Sequence, residues 1–424
     1  MIRLSRTISS RSLAVVGAAA LFGVTAPAQT AQAAHLTCGQ TVTASVVLHA
    51  DLLNCPGDGL VVGSSGITID LNGHTIDGVG LGVGIRNNGF ANAVITNGST
   101  TQGRVQQFDH GVQLNAGTTG NIVEKIAVQS NEFTGIGLTN AHTNNRVRNN
   151  LVDRQSHRGI AITAVSNGNV ITGNTISGNQ GEGVYVQNSA SNHIEGNGIS
   201  GSGGVGLVLE GSRGNTLLTN TVGTSGDAAI TLRVGSNGNL VQGNSSARSA
   251  DAGLIVSDSS GNRVLSNRLQ GAGDSGIVLQ SAHSNTVNGN DVRGNTGGIE
   301  LSFSDGNVIH SNNASSTTGD GISLSGSLRN DLQLNQANEN NARGIYVTGD
   351  AAAGAGNKLI RNTTNTNKGG GIAVSKAAHT IQANTARGNN GWGIFADPGN
   401  IDGGGNLASG NSQAGQCSGV VCTP

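Results

Sequence analysis

A small residue followed by apolar-x-apolar recurs along this chain at a nearly fixed interval. The anchors run from Gly111 through Gly135, Gly159 and Gly183 to Gly393. Neighbours are 22–24 residues apart, except for one 27-residue step into Gly371. That step contains "GDAAAGAGN", which reads as a loop bulging from one turn. A second motif, N-x-apolar-x-x-N, precedes most anchors, as at Asn192/Asn197 and Asn215/Asn220. A period of this length means a solenoid, because one unit cannot bury its apolar side chains alone.

Helical repeats are excluded by content. No window carries a 3.6-residue apolar stripe, and the Gly and Asn that fill each unit are poor helix formers. Within one unit the apolar residues form three short groups, such as Val170/Ile171, Ile176 and Val184/Val186. Each has period-two character and is closed by Asn or Gly. Three short strands per turn make one coil of a parallel β-helix. Coils stack about 4.8 Å apart, so about 13 coils predict a rod roughly 60–65 Å long. Asn falls at the sharp turns, where it tolerates left-handed backbone and can form side-chain ladders.

The ends differ from the repeat. Arg3, Arg6 and Arg11 precede an apolar run, Leu13 to Thr25, and Ala31-Gln32-Ala33 fits a cleavage site. Residues 1–33 therefore read as a signal peptide of a secreted, extracellular protein. Four Cys remain, two at each end of the mature chain. An oxidising compartment favours disulfides. Because the ends of a rod are far apart, the local pairing Cys38–Cys55 and Cys417–Cys422 is expected. Residues 34–57 and 411–424 read as N- and C-terminal caps over the open ends of a β-helix spanning 58–410. A net charge of −1 with only 11% charged residues gives no basic surface for nucleic acid and no polybasic membrane patch. The expected state is a monomer.

"GLVVGSSGITIDLNGHTIDG", Gly59 to Gly78, followed by the N-x-I-x-x-N and G-I-x-L coils, resembles the pectin-lyase-like right-handed parallel β-helix proteins. The nearest resemblance is to secreted β-helix repeat proteins of the NosD-like, carbohydrate-binding and sugar-hydrolase type. It implies an all-β, single-stranded, right-handed parallel β-helix, and right-handedness agrees with the general crossover rule. It also implies a polysaccharide or cell-surface glycan as partner. The specific signatures of related enzymes are missing. "FDHG", Phe108 to Gly111, keeps only the Asp-His of the alginate-epimerase motif. Pro occurs only at 27, 56, 398 and 424, so the Arg-x-Pro-x-x-Arg of pectate lyases cannot occur.

In a solenoid, chemistry is sought where coils depart from consensus. Counting back from the anchors groups Asp109, His110, Glu132, His157, Arg158 and Glu182 in one patch, with Phe108, Phe133 and Tyr185 as sugar-stacking rings. Acid, base and cation together suit a glycoside hydrolase, lyase or epimerase. Arg158 would hold a uronate carboxylate. The leading reading is a protein that binds a polysaccharide or cell-surface glycan; an enzyme acting at this patch is the alternative, a structural extracellular rod or adhesin the third, and polar turn decoration the competing account of these residues. Asp227, Asp251 and Asp274 occupy one position in three successive coils. Calcium is the candidate cation for that stack, and the preference of Asp for turns is the competing account. Copper is not expected, since the lone Met is Met1 and no H-x-H pair occurs. A third group, Arg343, Tyr346, Trp392 and Phe395, is expected to cover the C-terminal end of the rod.

Overall fold

The computed structural model describes residues 32–33, 35–141, 143–349, 355–376 and 378–424. The segment expected to be a signal peptide, 1–33, thus lies outside the described residues, apart from the two-residue strand Gln32–Ala33. Most coils pass through three short strands in a fixed order. Arg158–Thr163, Val170–Thr172 and Thr175–Ser177 make one such coil. Every strand pairs in parallel with its counterparts in the coils before and after. Arg158–Thr163 lies between Thr134–Thr139 and Val184–Gln187. The anchor strands thereby stack into one face, and the next two strands of each coil build the second and third faces. The second face has 17 strands. The third has 10 strands, then single bridges through Asp291, Asn313, Gln336 and Thr363, then 3 more strands.

The rod has about 16 turns rather than about 13, or about 75–80 Å of stacked strands. The extra turns are at the ends. Gln40–Val42, Val46–Val47 and Leu52–Cys55 form a coil of the same three-faced kind, and Gly59 and Gly84 head two more. Cys417–Ser418 adds a last strand to the anchor face. Both expected disulfides form, Cys38–Cys55 with Cα atoms 5.3 Å apart and Cys417–Cys422 at 6.1 Å.

The core is a set of thin aliphatic stacks. Ile136, Ile160, Val184, Leu207 and Ile230 are in register on the anchor face, all fully buried. The anchor glycine is required by close approach. A Cβ at Gly159 would lie 2.5 Å from the Gly183 carbonyl oxygen and 2.6 Å from Ile176. Ala229 breaks the rule with a matching concession. The third-face strand of its coil centres on Ser246, in register with Val222 before it and Leu269 after it.

Side-chain amides close the corners. At the corner between second and third faces, Asn150, Asn174, Asn197, Asn220 and Asn244 form a ladder. Each Nδ2 donates to the next Oδ1 at 2.9–3.1 Å, and each backbone N–H does the same. A second ladder runs from Asn121 to Asn357 and then meets a histidine. The Asn357 N–H donates to His379 Nδ1 at 3.0 Å, and His379 Nε2 faces the Gly349 carbonyl at 3.3 Å. His379 is fully buried, and burial lowers its pKa below the ordinary histidine value, against the opposing pull of the Gly349 carbonyl. The neutral ring accepts at Nδ1, whereas a protonated ring would set N–H against N–H. The sign follows: the unfolded chain binds the proton more readily, so stability is full above the unfolded pKa, about 6.5. It falls as pH drops through the folded value. Urea midpoints of the wild type are expected to fall between pH 7 and pH 5, and His379→Asn, which restores the ladder residue, should flatten that slope. An unchanged slope in the variant would assign the pH dependence elsewhere.

Candidate functional site

The anchor-face strands His110–Asn115, Thr134–Thr139, Arg158–Thr163 and Val184–Gln187 lie side by side. Alternation sends Val112, Leu114, Ile136 and Leu138 inward and leaves every second residue facing out. In the outward row, Gly137 and Ala161 stand between Gln113 and Tyr185. Two small residues thus make a shallow notch in this row, two coils high, whose floor, Gly137 and Ala161, is itself buried by its neighbours. Thr139 and Thr163 flank it with hydroxyls 3.2 Å apart.

One edge of the notch carries a ladder of rings. Phe133 stacks on His110 with centroids 5.8 Å apart and planes 30° apart. His157 meets the same phenyl ring edge-on at 6.4 Å. Phe133 remains 53% exposed, although it is held from both sides. His110 Nε2 is 3.8 Å from Asp109 Oδ2, and its Nδ1 is buried with no hydrogen-bond partner. Burial holds the His110 pKa below the ordinary histidine value, overriding Asp109 and helped by Arg86.

Beyond the ring ladder, at the corner with the third face, is a groove of about 470 Å³. Glu132, Gln107, Ser130, Ser156 and Arg154 line it, with Val79 and Gly80. These groups offer hydrogen-bond donors and acceptors beside an open aromatic ring. Glu132 reaches the groove as one of the expected patch residues. Gln107, Ser130 and Arg154 were not anticipated, because they follow the third-face strand of the preceding turn and no anchor count reaches them.

The structure brings Asp109, His110, Glu132, Phe133, His157, Arg158 and Glu182 onto one region but changes three roles. Phe108 is no sugar platform: it is fully buried. Its N–H donates to Asn131 Oδ1 as the Asn131 N–H donates to Gln155 Oε1, so Phe108 fills a corner-ladder position. The turn from Phe108 to the strand at His110 is one residue shorter than that from Asn131 to Thr134. Gly59, Gly78 and Gly84 leave room for the ring inside. Tyr185 does face outward but is only 4% exposed, packed with Val205 and Val208. Its hydroxyl and Glu210 Oε1 are 3.1 Å apart, and burial, with Glu210 next, pushes its pKa up to about 12. Arg158 is no free carboxylate receptor. Its guanidinium lies 3.8 Å over the Tyr185 ring and its Nε donates to Glu182 at 3.0 Å.

Asp227, Asp251 and Asp274 do stack. Burial, and then the charges of Asp227 and Asp274, raise the pKa of Asp251. Among the described residues, no group of three Asp, Glu, His or Cys side chains is arranged to hold a metal ion. Asp251 and Asp274 instead line a second groove, of about 270 Å³, with Glu300, Gln280 and Ser302. Near the C-terminus, Arg343 is bonded to Asp320 through both Nε and Nη2 and lies 3.3 Å over Tyr346. The Trp392 ring packs on Gly415 in the terminal turn.

Comparison with known proteins agrees with this architecture. The family model for the right handed beta helix region matches residues 37–179, 165–304 and 284–390. The A-module of Azotobacter vinelandii mannuronan C-5 epimerase AlgE4 aligns with a TM-score of 0.52 at 12% identity, over 80% of this chain and 91% of its own. DFA-IIIase from Arthrobacter chlorophenolicus A6 gives 0.48 at 14% identity, over 68% of this chain and 81% of its own. The Dettilon tailspike protein gives 0.44 at 18% identity, over 57% and 60%. No curated protein sequence matches the chain. At 12% identity the likeness to the AlgE4 A-module speaks to fold alone, while the repeat model covers most of the sequence: the chain belongs to the right-handed β-helix family.

Proposed function

We propose that this protein binds an extracellular carbohydrate across the His110–Phe133–His157 ring ladder. The observation that carries this reading is Phe133. A large apolar ring, more than half exposed and clamped by two imidazoles, stands between a notch and a polar groove. A sugar ring presents one apolar face and a rim of hydroxyls. Phe133 suits the face; Glu132, Gln107, Ser130 and Ser156 suit the rim. Two disulfides fit an oxidising, extracellular setting. The shared fold with a protein named as a mannuronan C-5 epimerase is in keeping with a carbohydrate partner.

Phe133→Ala is expected to weaken glycan binding about tenfold, equivalent to about 1.4 kcal/mol. Its thermal midpoint should hardly move, because exposed side chains contribute little to stability. Phe303→Ala, which removes another exposed ring (67%) from a distant coil, is the control and should bind normally. Equal binding by Phe133→Ala and the wild type in calorimetry would remove the basis for this site.

A second reading, a hydrolase, lyase or epimerase, draws on the Asp109–His110 contact beside Phe133. It requires new reducing ends, unsaturated products or altered sugar stereochemistry after incubation with the bound glycan. Binding without any product places the protein with the non-catalytic binders.

A further inference from the structure

We infer that the ring-ladder site selects uncharged sugars and excludes polyuronates. The inference rests on the carbohydrate-binding reading above and adds the substrate class. On the anchor-face strands near and beyond the site, each guanidinium is already matched. Arg86 donates through Nε and Nη2 to Asp58, both at 2.7 Å. Arg158 is held by Glu182 and lies over Tyr185. Arg233 is paired with Glu210 at 2.7 Å. In the adjoining groove, Arg154 is paired with Asp153 at 2.8 Å.

The carboxylates are not matched in the same way. Glu132 forms no ion pair among the described residues, and the only basic partner of Asp109 is His110 at 3.8 Å. His110 cannot supply a lasting positive charge, since its Nδ1 is buried without a partner for a second N–H. The named charged groups are thus four guanidiniums, each with its own carboxylate, against six carboxylates, an excess of two negative charges from Glu132 and Asp109. A uronate chain carries one carboxylate per residue. To bind here it must either meet that excess or break an existing pair, and truncating a close pair leaves the other charge unpaired. A neutral sugar meets neither obstacle. It can use the same carboxylates as hydrogen-bond acceptors for its hydroxyls.

The test compares matched polymers by calorimetry: soluble neutral glucan, mannan and galactan, each against its C6-oxidised polyuronate. At low salt, the neutral form that binds is expected to bind at least about tenfold more tightly than its oxidised partner. The gap should narrow in about 0.5 M salt, because screening weakens repulsion between exposed charges. Glu182→Gln releases Arg158 from its partner and should raise affinity for the oxidised form. An oxidised polymer that binds the wild type as tightly as its neutral parent, with Phe133→Ala weakening both, overturns the selectivity and leaves the carbohydrate site standing. If no polymer of either kind binds, the carbohydrate reading fails and the selectivity falls with it.

Discussion

Asn220→Ala is expected to cost about 3–5 kcal/mol, far more than its small change in volume suggests. Asn220 is fully buried in the middle of the corner ladder. Its Oδ1 accepts from both the backbone N–H and the Nδ2 of Asn197, at 3.0 and 2.9 Å. Its Nδ2 donates to the Ile194 carbonyl at 2.9 Å and to Asn244 Oδ1 at 3.0 Å. Alanine leaves the Asn197 N–H without an acceptor in a buried corner. Each buried orphan costs about 1–3 kcal/mol, and the lost side chain leaves a void besides. Asn220→Asp keeps the shape but replaces the NH2 donor with a second acceptor facing the Ile194 carbonyl. A buried carboxyl there gains a proton readily, so this variant should recover stability as pH falls. Urea unfolding read by circular dichroism provides the energies, and hydrogen exchange at the Asn197 amide reports the local break. Asn341→Ala, at an exposed asparagine, is the reference and should stay within about 0.5 kcal/mol of wild type. An Asn220→Ala variant as stable as that reference would show that the ladder decorates the corner without holding it.

The fold was legible because the repeat is both the sequence signal and the structural unit. Gly111, Gly135 and Gly159 recur where a Cβ would strike the next coil, so their spacing reports coil length directly. The coil count was less legible, for a local reason. Gly84 heads a full coil, but Asn87 stands fully buried where the pattern expects an apolar residue. Asn87 Nδ2 donates to the Phe90 carbonyl at 2.9 Å and to Asn121 Oδ1 at 3.2 Å, so a polar group is tolerated inside. The disulfides followed from rod geometry, since only Cys pairs at the same end can meet.

The candidate site was legible in membership and less so in role. Residues just before the anchors do cluster, because parallel register carries the same offset from coil to coil. Offset says nothing about whether a turn is shortened by one residue, and that is what takes Phe108 inside. Nor does it show that Arg158 is already engaged, because Glu182 and Tyr185 reach it from the neighbouring coil. A charged residue in a list of candidates becomes available chemistry only when its pairing is known. Here the pairing leaves the expected uronate receptor, Arg158, with no unmatched charge to offer.

Two glycines on one strand meet different surroundings, because Gly135 sits at the corner where the chain turns onto the anchor face and its Cβ would point at the core, whereas Gly137 faces out. Gly135 and Gly137 both belong to Thr134–Thr139. A Cβ on Gly135 would lie 2.6 Å from Val152 Cγ1 and 2.8 Å from the Gly159 carbonyl oxygen. The carbonyl belongs to the stacked backbone of the next coil, so the strain cannot be relieved by one rotamer change. Gly135→Val is therefore expected to cost at least about 3 kcal/mol, at the upper end of overpacking effects. It should also reduce the yield of folded protein, since a displaced coil spoils the template for both neighbours. At Gly137 the nearest atom to a new Cβ is Gln113 Cγ at 3.7 Å, an ordinary contact. Gly137→Ala should be neutral or stabilising by up to about 1 kcal/mol, because alanine narrows the unfolded ensemble. Thermal and urea unfolding of the two variants side by side measure the contrast. Equal losses at both positions would mean that Gly137 too meets closely packed neighbours, so that no open notch stands beside the ring ladder.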